Sequence, residues 1–363
     1  MENFSYENKK ILAPMVRVGC LPMRLLALHY GADLVYSPEI IAKKLILCKR
    51  IVNKILGTID YVDGRGNGTA GLVLRIHPKE KNRLVLQLGA SNPEIALKAA
   101  LIIQDDVAAI DLNCGCPKKF SLHDGMGSAL LETPDKLIAI LEALVSNLRV
   151  PVSCKIRYLH ITYIRLLDPT ESETSMERTI KLLKRIEATK VSAIGIHCRF
   201  THERPRQPAH WDVFEKLASI VESIPIIANG DLFSLEDIDR LKETHGKHVS
   251  SFMFARGAQA NVSVFRKEGL LPCHTVMREF LKIAVEVDYT YNTVKYTLMQ
   301  MEYPEEERIE FQKKIIACKN MHQLRWVYND INNRSCLFEI EDFYNETIAQ
   351  RTAKVEEDKN LLI

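Results

Sequence analysis

Short runs of consecutive apolar residues recur through the first 255 residues, and helical spacing of apolar positions follows them. These runs lack strict apolar–polar alternation, which is typical of strands buried on both faces. They lie at residues 11–15, 33–36, 84–88, 108–112, 151–155, 193–197, 224–228 and 251–255. Eight strands alternating with helices over about 255 residues predict an α/β fold, a (β/α)8 TIM barrel. An open doubly wound sheet is the alternative with the same local pattern.

Capping patterns between these runs predict where helices begin. Asn92 precedes Pro93-Glu94, Thr133 precedes Pro134-Asp135, and Ser234 has Asp237 three residues later. Ser, Thr and Asn accept hydrogen bonds from the first free N–H groups of a helix, and proline fits its first turn. Each pattern therefore indicates a helix on the chain between two strands.

Two segments interrupt the strand–helix alternation. Residues 58–62 and 71–75 flank three glycines and predict a β-hairpin inserted at about residues 58–76. The stretch 158–176 follows the fifth run and contains the polar sequence Asp168-Pro169-Thr170-Glu171-Ser172. It would hang over the catalytic face as a lid or as a plain long loop, and the loop is favoured.

The strand pattern ends near residue 270, which predicts a barrel over residues 1–270 and a helical domain over residues 271–354. Apolar positions then recur at spacings of three and four in residues 276–287, 315–327 and 338–348, as amphipathic helices require. Residues 301–310 are expected to form an exposed connection, because they contain Pro304 and the acidic residues at 305–307 and 310. The charged residues 355–363 are expected to be a frayed tail.

Composition narrows the class of protein. Apolar residues make up 47% and charged residues 26% of the 363-residue chain, which excludes collagen, coiled coil and general disorder. No apolar run reaches the roughly 18 residues of a membrane span, and the start lacks a secretory signal pattern. The nine cysteines are irregularly spaced, as in proteins with reduced thiols. We therefore expect a soluble cytoplasmic protein, with the nucleus as a further location.

Charge is unevenly distributed along the chain. Residues 271–363 carry 12 basic and 16 acidic side chains, whereas residues 1–270 carry 37 basic and 30 acidic ones. The basic excess of the first part permits a polyanionic partner without requiring one.

Polar residues terminate almost every predicted strand. The ends carry Ala13-Pro14-Met15, Gln87, Asn113-Cys114-Gly115-Cys116-Pro117, Lys155-Ile156-Arg157, His197-Cys198-Arg199, Asn229-Gly230-Asp231 and Arg256-Gly257. Barrel enzymes place their active sites at this face, so these groups predict one convergent ligand pocket. Gly230 and Gly257 follow the seventh and eighth strands, where barrels commonly bind phosphate, and Arg256 adds a cation.

Among the cysteines, Cys116 is the candidate for a chemical role. Cys114-Gly115-Cys116 lacks a second ligand pair with zinc spacing, so we expect no metal site. Cys116 lies just before Pro117-Lys118-Lys119 in a loop over the predicted pocket. Its thiol suits either proton donation or nucleophilic attack. The two lysines would lower its pKa if they lie close to it, or would meet a polyanionic substrate.

These motifs together resemble the tRNA-dihydrouridine synthase family, in its eukaryotic branch that acts on the D-loop uridine at position 20. The resemblance covers residues 11–257 in the expected order. It rests on Leu12-Ala13-Pro14-Met15-Val16-Arg17, Ala32-Asp33-Leu34-Val35-Tyr36-Ser37-Pro38-Glu39, Asp111-Leu112-Asn113-Cys114-Gly115-Cys116-Pro117-Lys118, Gly125-Met126-Gly127-Ser128-Ala129-Leu130-Leu131, His197-Cys198-Arg199, Ala228-Asn229-Gly230-Asp231 and Met253-Phe254-Ala255-Arg256-Gly257.

The resemblance implies an FMN enzyme that uses NADPH to reduce uridine to 5,6-dihydrouridine in a flipped-out base of tRNA. Cys116 would be the general acid that protonates carbon 5. The cofactor residues it implies are Pro14, Met15 and Gln87 at the isoalloxazine, Lys155 and His197 hydrogen-bonding the ring system, and Asn229, Gly230, Asp231, Ala255, Arg256 and Gly257 at the ribityl phosphate. The substrate residues would be Asn113, Lys118 and Arg199.

The resemblance also implies that the helical domain helps to hold tRNA, although this segment is net negative. Lys282 with Lys295, or Lys313, Lys314 and Lys319, would have to supply basic patches there. The chain matches the fungal type, which lacks the double-stranded RNA-binding domain of animal members, and a monomer is expected. Two alternatives stay open: an FMN barrel that reduces a small pyrimidine or enone, and a non-catalytic RNA-binding barrel.

Overall fold

Eight parallel strands close into a barrel, in the order in which the chain reaches them. The computed structural model describes residues 4–64, 71–159, 174–324 and 345–354. Numbered along the chain, the barrel strands are β1 (Lys10–Leu12), β2 (Leu34–Tyr36), β7 (Leu84–Gly89), β8 (Ala109–Cys114), β9 (Val152–Arg157), β10 (Ala193–His197), β11 (Ile226–Asn229) and β12 (Ser251–Phe254). Closure comes from the pairing of β1 with both β2 and β12, and of β2 with β7. The predicted TIM barrel is confirmed, and the open sheet is excluded.

The four remaining strands precede β7. The short β3 (Ile40–Ile41) extends the pairing of β7 beyond the end of β2. The strands β4 (Cys48–Asn53), β5 (Thr58–Asp63) and β6 (Leu72–Ile76) form a separate antiparallel sheet. The predicted hairpin is thus confirmed as β5 and β6, while β4 was not predicted. Most of β4 is exposed, so its sequence carries no apolar face that would mark it as a strand.

Alternate residues of the barrel strands face two separate cores. The barrel interior contains a small apolar layer formed by Tyr6, Ile11, Ala13, Leu34, Tyr36, Val85, Ala109, Ala193, Ile227 and Met253. Their neighbours along the strands, such as Leu12 and Leu86, pack in the larger core that includes the surrounding helices. Because strand side chains alternate, the residue two positions beyond an interior residue also points inward. Gln87, Asp111 and Asn229 are interior residues of this kind.

Helices follow the barrel strands and cover the outside of the barrel. They are α1 (Leu21–His29), α2 (Ala42–Leu45), α3 (Pro93–Ile103), α4 (Lys119–His123), α5 (Pro134–Asn147), α6 (Ser175–Ala188), α7 (Val213–Ile220), α8 (Glu236–Thr244) and α9 (Arg256–Ala260). Asn92 caps α3 by accepting the Ile95 N–H at 3.0 Å. Before α8, the carboxylate of Asp237 accepts the N–H groups of Phe233 and Ser234. Thr133 precedes α5 but makes no side-chain capping bond.

The region after residue 270 is helical. It contains α10 (Cys273–Glu286), α11 (Tyr291–Leu298), α12 (Glu305–Ala317) and a helix over residues 345–354. The expected exposed connection at 301–310 is wrong, because α12 begins at Glu305. Pro304 precedes its first turn, and three glutamates in that turn suit the positive end of the helix dipole. The helix expected over 315–327 is also wrong at its start, since α12 ends at Ala317.

Some predictions fall on residues outside the described ranges. These are the tip of the hairpin at 65–70, most of the stretch 158–176, the ends of the helices expected at 315–327 and 338–348, and the tail 355–363. Within the described residues, no helix is long and apolar enough to cross a lipid bilayer.

The helical region packs against α1 and the inserted sheet. The buried Arg75 of β6 donates hydrogen bonds to the carbonyls of Val287 and Asp288, at 2.6 and 2.9 Å. Arg24 of α1 forms a fully buried ion pair with Glu80, with Nε and Oε2 2.7 Å apart. Arg24 also donates to the Arg75 carbonyl, so one buried polar network joins the barrel, the inserted sheet and the helical region.

Candidate functional site

A cleft of about 380 Å³ opens at the carboxyl ends of the barrel strands. This volume lies in the range typical of small-molecule sites. Of the sequence-predicted residues, those that line it are Met15, Lys118, His197, Arg199, Asn229, Gly230, Asp231, Ala255 and Arg256. The others, Pro14, Gln87, Asn113, Cys116, Lys155 and Gly257, lie around or beneath it. The structure therefore brings the predicted groups to one end of the barrel.

A buried hydrogen-bond chain supports the cleft from inside the barrel. The amide of Gln87 donates to Asp111 Oδ2 at 2.8 Å, and Ser153 donates to Asp111 Oδ1 at 2.7 Å. Tyr6, from the segment before β1, donates to Ser153 at 3.0 Å. Burial raises the pKa of Asp111 to about 6, although the bonds from Gln87 and Ser153 oppose this rise. These hydrogen bonds hold the side-chain amide of Gln87 in one orientation.

Lys155 and His197 stand on neighbouring strands with opposite protonation. Burial, with a contribution from the nearby Arg157 cation, lowers the pKa of Lys155 to about 8, so its ammonium remains mostly charged at neutral pH. Burial and the surrounding cations hold the pKa of His197 well below its ordinary value, so its imidazole is neutral. Arg199 Nη1 lies 3.3 Å from His197 Nε2. Because a guanidinium only donates, Nε2 accepts, and the ring proton sits on Nδ1.

The loops after β11 and β12 are held tightly together at the other side of the cleft. Asn229 donates from its amide to the Met253 carbonyl at 2.8 Å. Gly257, in α9, lies so close to the loop after β11 that an added Cβ would be 2.7 Å from the Leu232 carbonyl oxygen. Gly257 thus allows close packing of the two loops. Its contact with a ligand, expected from the sequence, stays a prediction.

Asp231 occupies a bridging position between two arginines. Its carboxylate accepts from Arg199 Nη2 at 2.5 Å, from Arg256, and from the Ala209 N–H at 2.7 Å. Burial alone would raise the pKa of Asp231, but the bonds from Arg199 and Ala209 lower it overall. Asp231 is therefore an anion that orients Arg199 and Arg256 at the rim of the cleft.

The loop after β8 presents Cys116. The amide oxygen of Asn113 accepts the N–H groups of Gly115 and Cys116 at 3.0 and 3.1 Å, which folds the loop back on itself. Ser128, in the downstream glycine-rich motif, donates its N–H to the Cys116 carbonyl at 3.0 Å. This contact explains why the Gly125-Met126-Gly127-Ser128 segment accompanies the cysteine motif.

The Cys116 thiol is protonated at neutral pH. Burial raises its pKa, and the nearby Glu39 carboxylate raises it further, whereas the Lys118 N–H and ammonium act in the opposite direction. The lysine effect expected from the sequence is present but is smaller than the effect of burial. A protonated thiol is suited to giving a proton rather than to nucleophilic attack, because the thiolate is the nucleophilic form.

Sequence reasoning missed several residues of the site. Asp111 and Ser153 lie inside the barrel at alternate positions of their strands, so the strand period could have indicated them. Glu39 is part of a motif quoted above but was given no role. Tyr296 of α11 lines the cleft and carries the Arg17 guanidinium 5.0 Å from its ring centroid. No sequence signal indicates that this tyrosine reaches the barrel.

Comparison with known proteins decides the family. A family model described as dihydrouridine synthase (Dus) matches residues 11–355. The chain belongs to the dihydrouridine synthase family. It is an oxidoreductase of that family.

Members of the dihydrouridine synthase family from fungi and mammals are similar over most of this chain. A Schizosaccharomyces pombe protein named tRNA-dihydrouridine(20) synthase is 40% identical, over 99% of this chain and 70% of its own length. A Saccharomyces cerevisiae protein of the same name is 38% identical, over 91% and 85%. Both names specify NAD(P)+. A mouse tRNA-dihydrouridine(20a/20b) synthase-like protein is 30% identical, over 80% and 79%.

Proposed function

We propose that this protein is an FMN-dependent tRNA-dihydrouridine synthase that reduces the uridine at position 20 of the D-loop with NADPH as reductant. The observation that carries the proposal is a protonated thiol, Cys116, held beside a cleft that has cations at its rim and a hydrogen-bonding floor. The fungal relatives, whose names state position 20 and NAD(P)+, support the choice of position and of reductant.

The residues around the cleft fit FMN. Arg256 and Gly230 both line the cleft, and the φ of +131° at Gly230 is one that favours glycine. At the start of α9, the first N–H groups have no intrahelical acceptor, so they are free to meet a phosphate together with Arg256. On the opposite side, Gln87 and Lys155 offer donors to the polar edge of an isoalloxazine ring. These features suit a flat ring with an anionic tail.

The chain's own residues would orient the ring and move one proton. Bound FMN supplies the hydride for carbon 6 of the uracil. The Lys155 ammonium stabilises negative charge on the ring system, and neutral His197 donates only from Nδ1, because Arg199 occupies Nε2. Cys116 gives its thiol proton to carbon 5. Asn113 keeps that thiol in place, since its amide oxygen holds the backbone of the Cys116 loop.

The tRNA would approach the basic end of the barrel. Lys118 is exposed at the rim of the cleft and next to the Cys116 loop. Tyr296 reaches the same cleft from α11, so the helical region forms part of the substrate face even though it is net negative. Base stacking on an aromatic ring is sequence-tolerant and does not depend on net charge.

The proposal is tested with purified protein, NADPH and unmodified tRNA, with dihydrouridine mapped by position. We expect product at position 20 from the wild-type protein. Cys116→Ala should retain FMN and tRNA but lose uridine reduction by about a hundredfold or more, the contribution typical of a general acid. Cys48→Ala is the matched control, because Cys48 is a half-buried thiol in the inserted sheet.

The outcomes separate the alternatives. Product at another uridine would retain the chemistry and contradict the position. Reduction of free uracil with no product in tRNA would identify a small-molecule reductase. Purified protein without flavin absorbance would contradict FMN dependence and favour a non-catalytic RNA-binding role. Full activity of Cys116→Ala would remove Cys116 from the role of acid.

A further inference from the structure

Glu39 carries a buried carboxyl group. It follows β2 in the segment Ser37-Pro38-Glu39. Both of its carboxylate oxygens are buried, and neither makes a hydrogen bond of normal geometry with any of the described residues. A buried carboxylate is costly unless it is paired, so the position of this one next to Cys116 and Asn113 calls for a chemical explanation.

The structure provides a specific space for this carboxyl group. Gly89, the last residue of β7, lies directly against it, and a Cβ at that position would be 2.6 Å from Glu39 Oε1. The same Cβ would be 3.1 Å from Ile41 Cδ1, so the space is closed on its apolar side. Because Gly89 has no side chain, the Glu39 carboxyl group can reach the carboxyl end of β8.

The groups that face Glu39 from β8 and its loop are two thiols, an amide and an ammonium. The thiol of Cys116 and the amide of Asn113 both favour the ionised form of Glu39, and the Lys118 ammonium acts in the same direction. Burial outweighs them and raises the pKa of Glu39. In return, the carboxylate raises the pKa of Cys116 and of the fully buried Cys114. Glu39 therefore increases the proton affinity of the Cys116 sulfur, whereas the neutral thiol stabilises the Glu39 carboxylate.

Cations around the cleft act against the protonated form of the Cys116 thiol. Arg157 donates to the Gly115 carbonyl at 2.9 Å, beside Cys116, and Lys118 is two residues away along the chain. Cations at these distances favour a thiolate. A thiolate has no proton to give to carbon 5, and Glu39 adds to the effect of burial in opposing these cations. Glu39 is the acidic side chain among the described residues that bears directly on Cys116.

We propose that Glu39 is the proton-holding partner of Cys116: it keeps the thiol protonated before the reaction and returns a proton to the sulfur afterwards. The inference rests on the proposed function. In the forward step, the S–H bond breaks, its electron pair stays on sulfur, and the proton forms the new C5–H bond. The resulting thiolate lies beside the Glu39 carboxylate, and this pair of anions takes up a proton from water. The proton passes through the carboxyl group to sulfur, so S–H is restored and the carboxylate is regenerated.

The deciding experiment measures the reactivity of the Cys116 thiol in FMN-loaded protein, without tRNA. Iodoacetamide alkylation is followed by mass spectrometry of the Cys116 peptide, with the Cys48 peptide as the internal reference. In Glu39→Gln, we expect Cys116 to react about threefold faster or more at pH 7.5, because loss of the carboxylate raises the thiolate fraction. Glu94→Gln is the matched control: it removes the same charge from an exposed site in the first turn of α3 and should change nothing.

Turnover provides the second readout. For Glu39→Gln, kcat for uridine reduction should fall about tenfold with KM for tRNA unchanged, and the alkaline limb of the pH profile should move to lower pH. Glu39→Asp retains a carboxyl group and should restore part of both effects. Gly89→Ala, which displaces the carboxyl group, should shift thiol reactivity in the same direction as Glu39→Gln.

Results that overturn the role of Glu39 differ from results that contradict the proposed function. Unchanged Cys116 alkylation in both Glu39→Gln and Gly89→Ala would overturn the inference, whatever the enzyme reduces. A raised KM with unchanged alkylation would also overturn it and would make Glu39 a binding group for the base. A wild-type protein that alkylates as expected but forms no dihydrouridine would contradict the proposed function instead.

Discussion

Replacing Gly257 by alanine tests how the two loops at the phosphate side of the cleft are joined. The added Cβ would lie 2.7 Å from the Leu232 carbonyl oxygen and 2.8 Å from Phe233 Cα, and both of these are backbone atoms. Ordinary carbon contacts are about 3.5 Å or longer, so the loop after β11 must move by more than half an ångström. Overpacking of this kind costs about 1–3 kcal/mol.

This cost should be expressed in FMN binding as well as in stability. The displaced loop carries Asp231, which orients Arg199 and Arg256 at the rim. When moving the loop destabilises the FMN-bound protein by about 1–3 kcal/mol, FMN affinity falls roughly fivefold to a hundredfold, because about 1.4 kcal/mol corresponds to a factor of ten. The assay is titration of the apoprotein with FMN, followed by flavin fluorescence, together with the thermal unfolding midpoint.

Gly64→Ala is the control for Gly257→Ala. Gly64 lies in an exposed turn after β5, and among the described residues a Cβ there meets only Lys49, with Cε 3.9 Å away. It should leave FMN affinity and the unfolding midpoint unchanged. If Gly257→Ala also binds FMN as tightly as the wild type and unfolds at the same temperature, the close approach of the two loops does not constrain the site, and our reasoning is refuted.

Two further predictions concern charge. Arg24→Met leaves Glu80 buried without its ion-pair partner, so the free energy of unfolding, measured by denaturant titration, should fall by about 3–5 kcal/mol. The double variant Arg24→Met/Glu80→Leu should recover part of this loss. Equal stability of Arg24→Met and the wild type would contradict the prediction. The pKa of Lys155, lowered by burial to about 8, predicts that uridine reduction declines as pH rises through 8, because the ammonium is lost. Lys155→Arg should move this decline to higher pH, where loss of the Cys116 proton sets it. Since the folded protein then binds fewer protons than the unfolded chain between about pH 8 and 10.5, the contribution of Lys155 to the free energy of unfolding should increase with pH across that interval. A flat profile in both measurements would refute the assignment.

Much of the barrel was predictable because its information is local. Each barrel strand is a short apolar run, and burial on both faces produces that run regardless of what lies elsewhere in the chain. The polar groups at the strand ends were predictable for the same reason. In a closed parallel barrel, all eight carboxyl ends meet at one face, so Gln87, Lys155, His197 and Asn229 could be placed in one pocket from order alone.

Local patterns failed where exposure or charge removed the apolar signal. β4 has almost no buried residue and was not predicted, since its pairing with β5 does not depend on an apolar face. α12 contains an acidic first turn that was taken for an exposed connection. The strand depends on backbone hydrogen bonds to β5. The helix depends on the packing of its few buried residues, such as Phe311, whose ring centroid lies 4.1 Å from that of Tyr303.

By itself, the sequence determined the eight-strand pattern, the end of the barrel where chemistry occurs and, through its motifs, the family. Only the tertiary structure decided how the site works in detail. Closure of the barrel places Glu39, Gly89 and Cys116 together, although the chain separates them by 50 and 27 residues. It also makes Asp231 a bridge between two arginines and makes Gly257 a contact point between loops. Such relations depend on distances across the barrel and on burial, which raises or lowers each pKa, and these quantities exist only once the chain is folded.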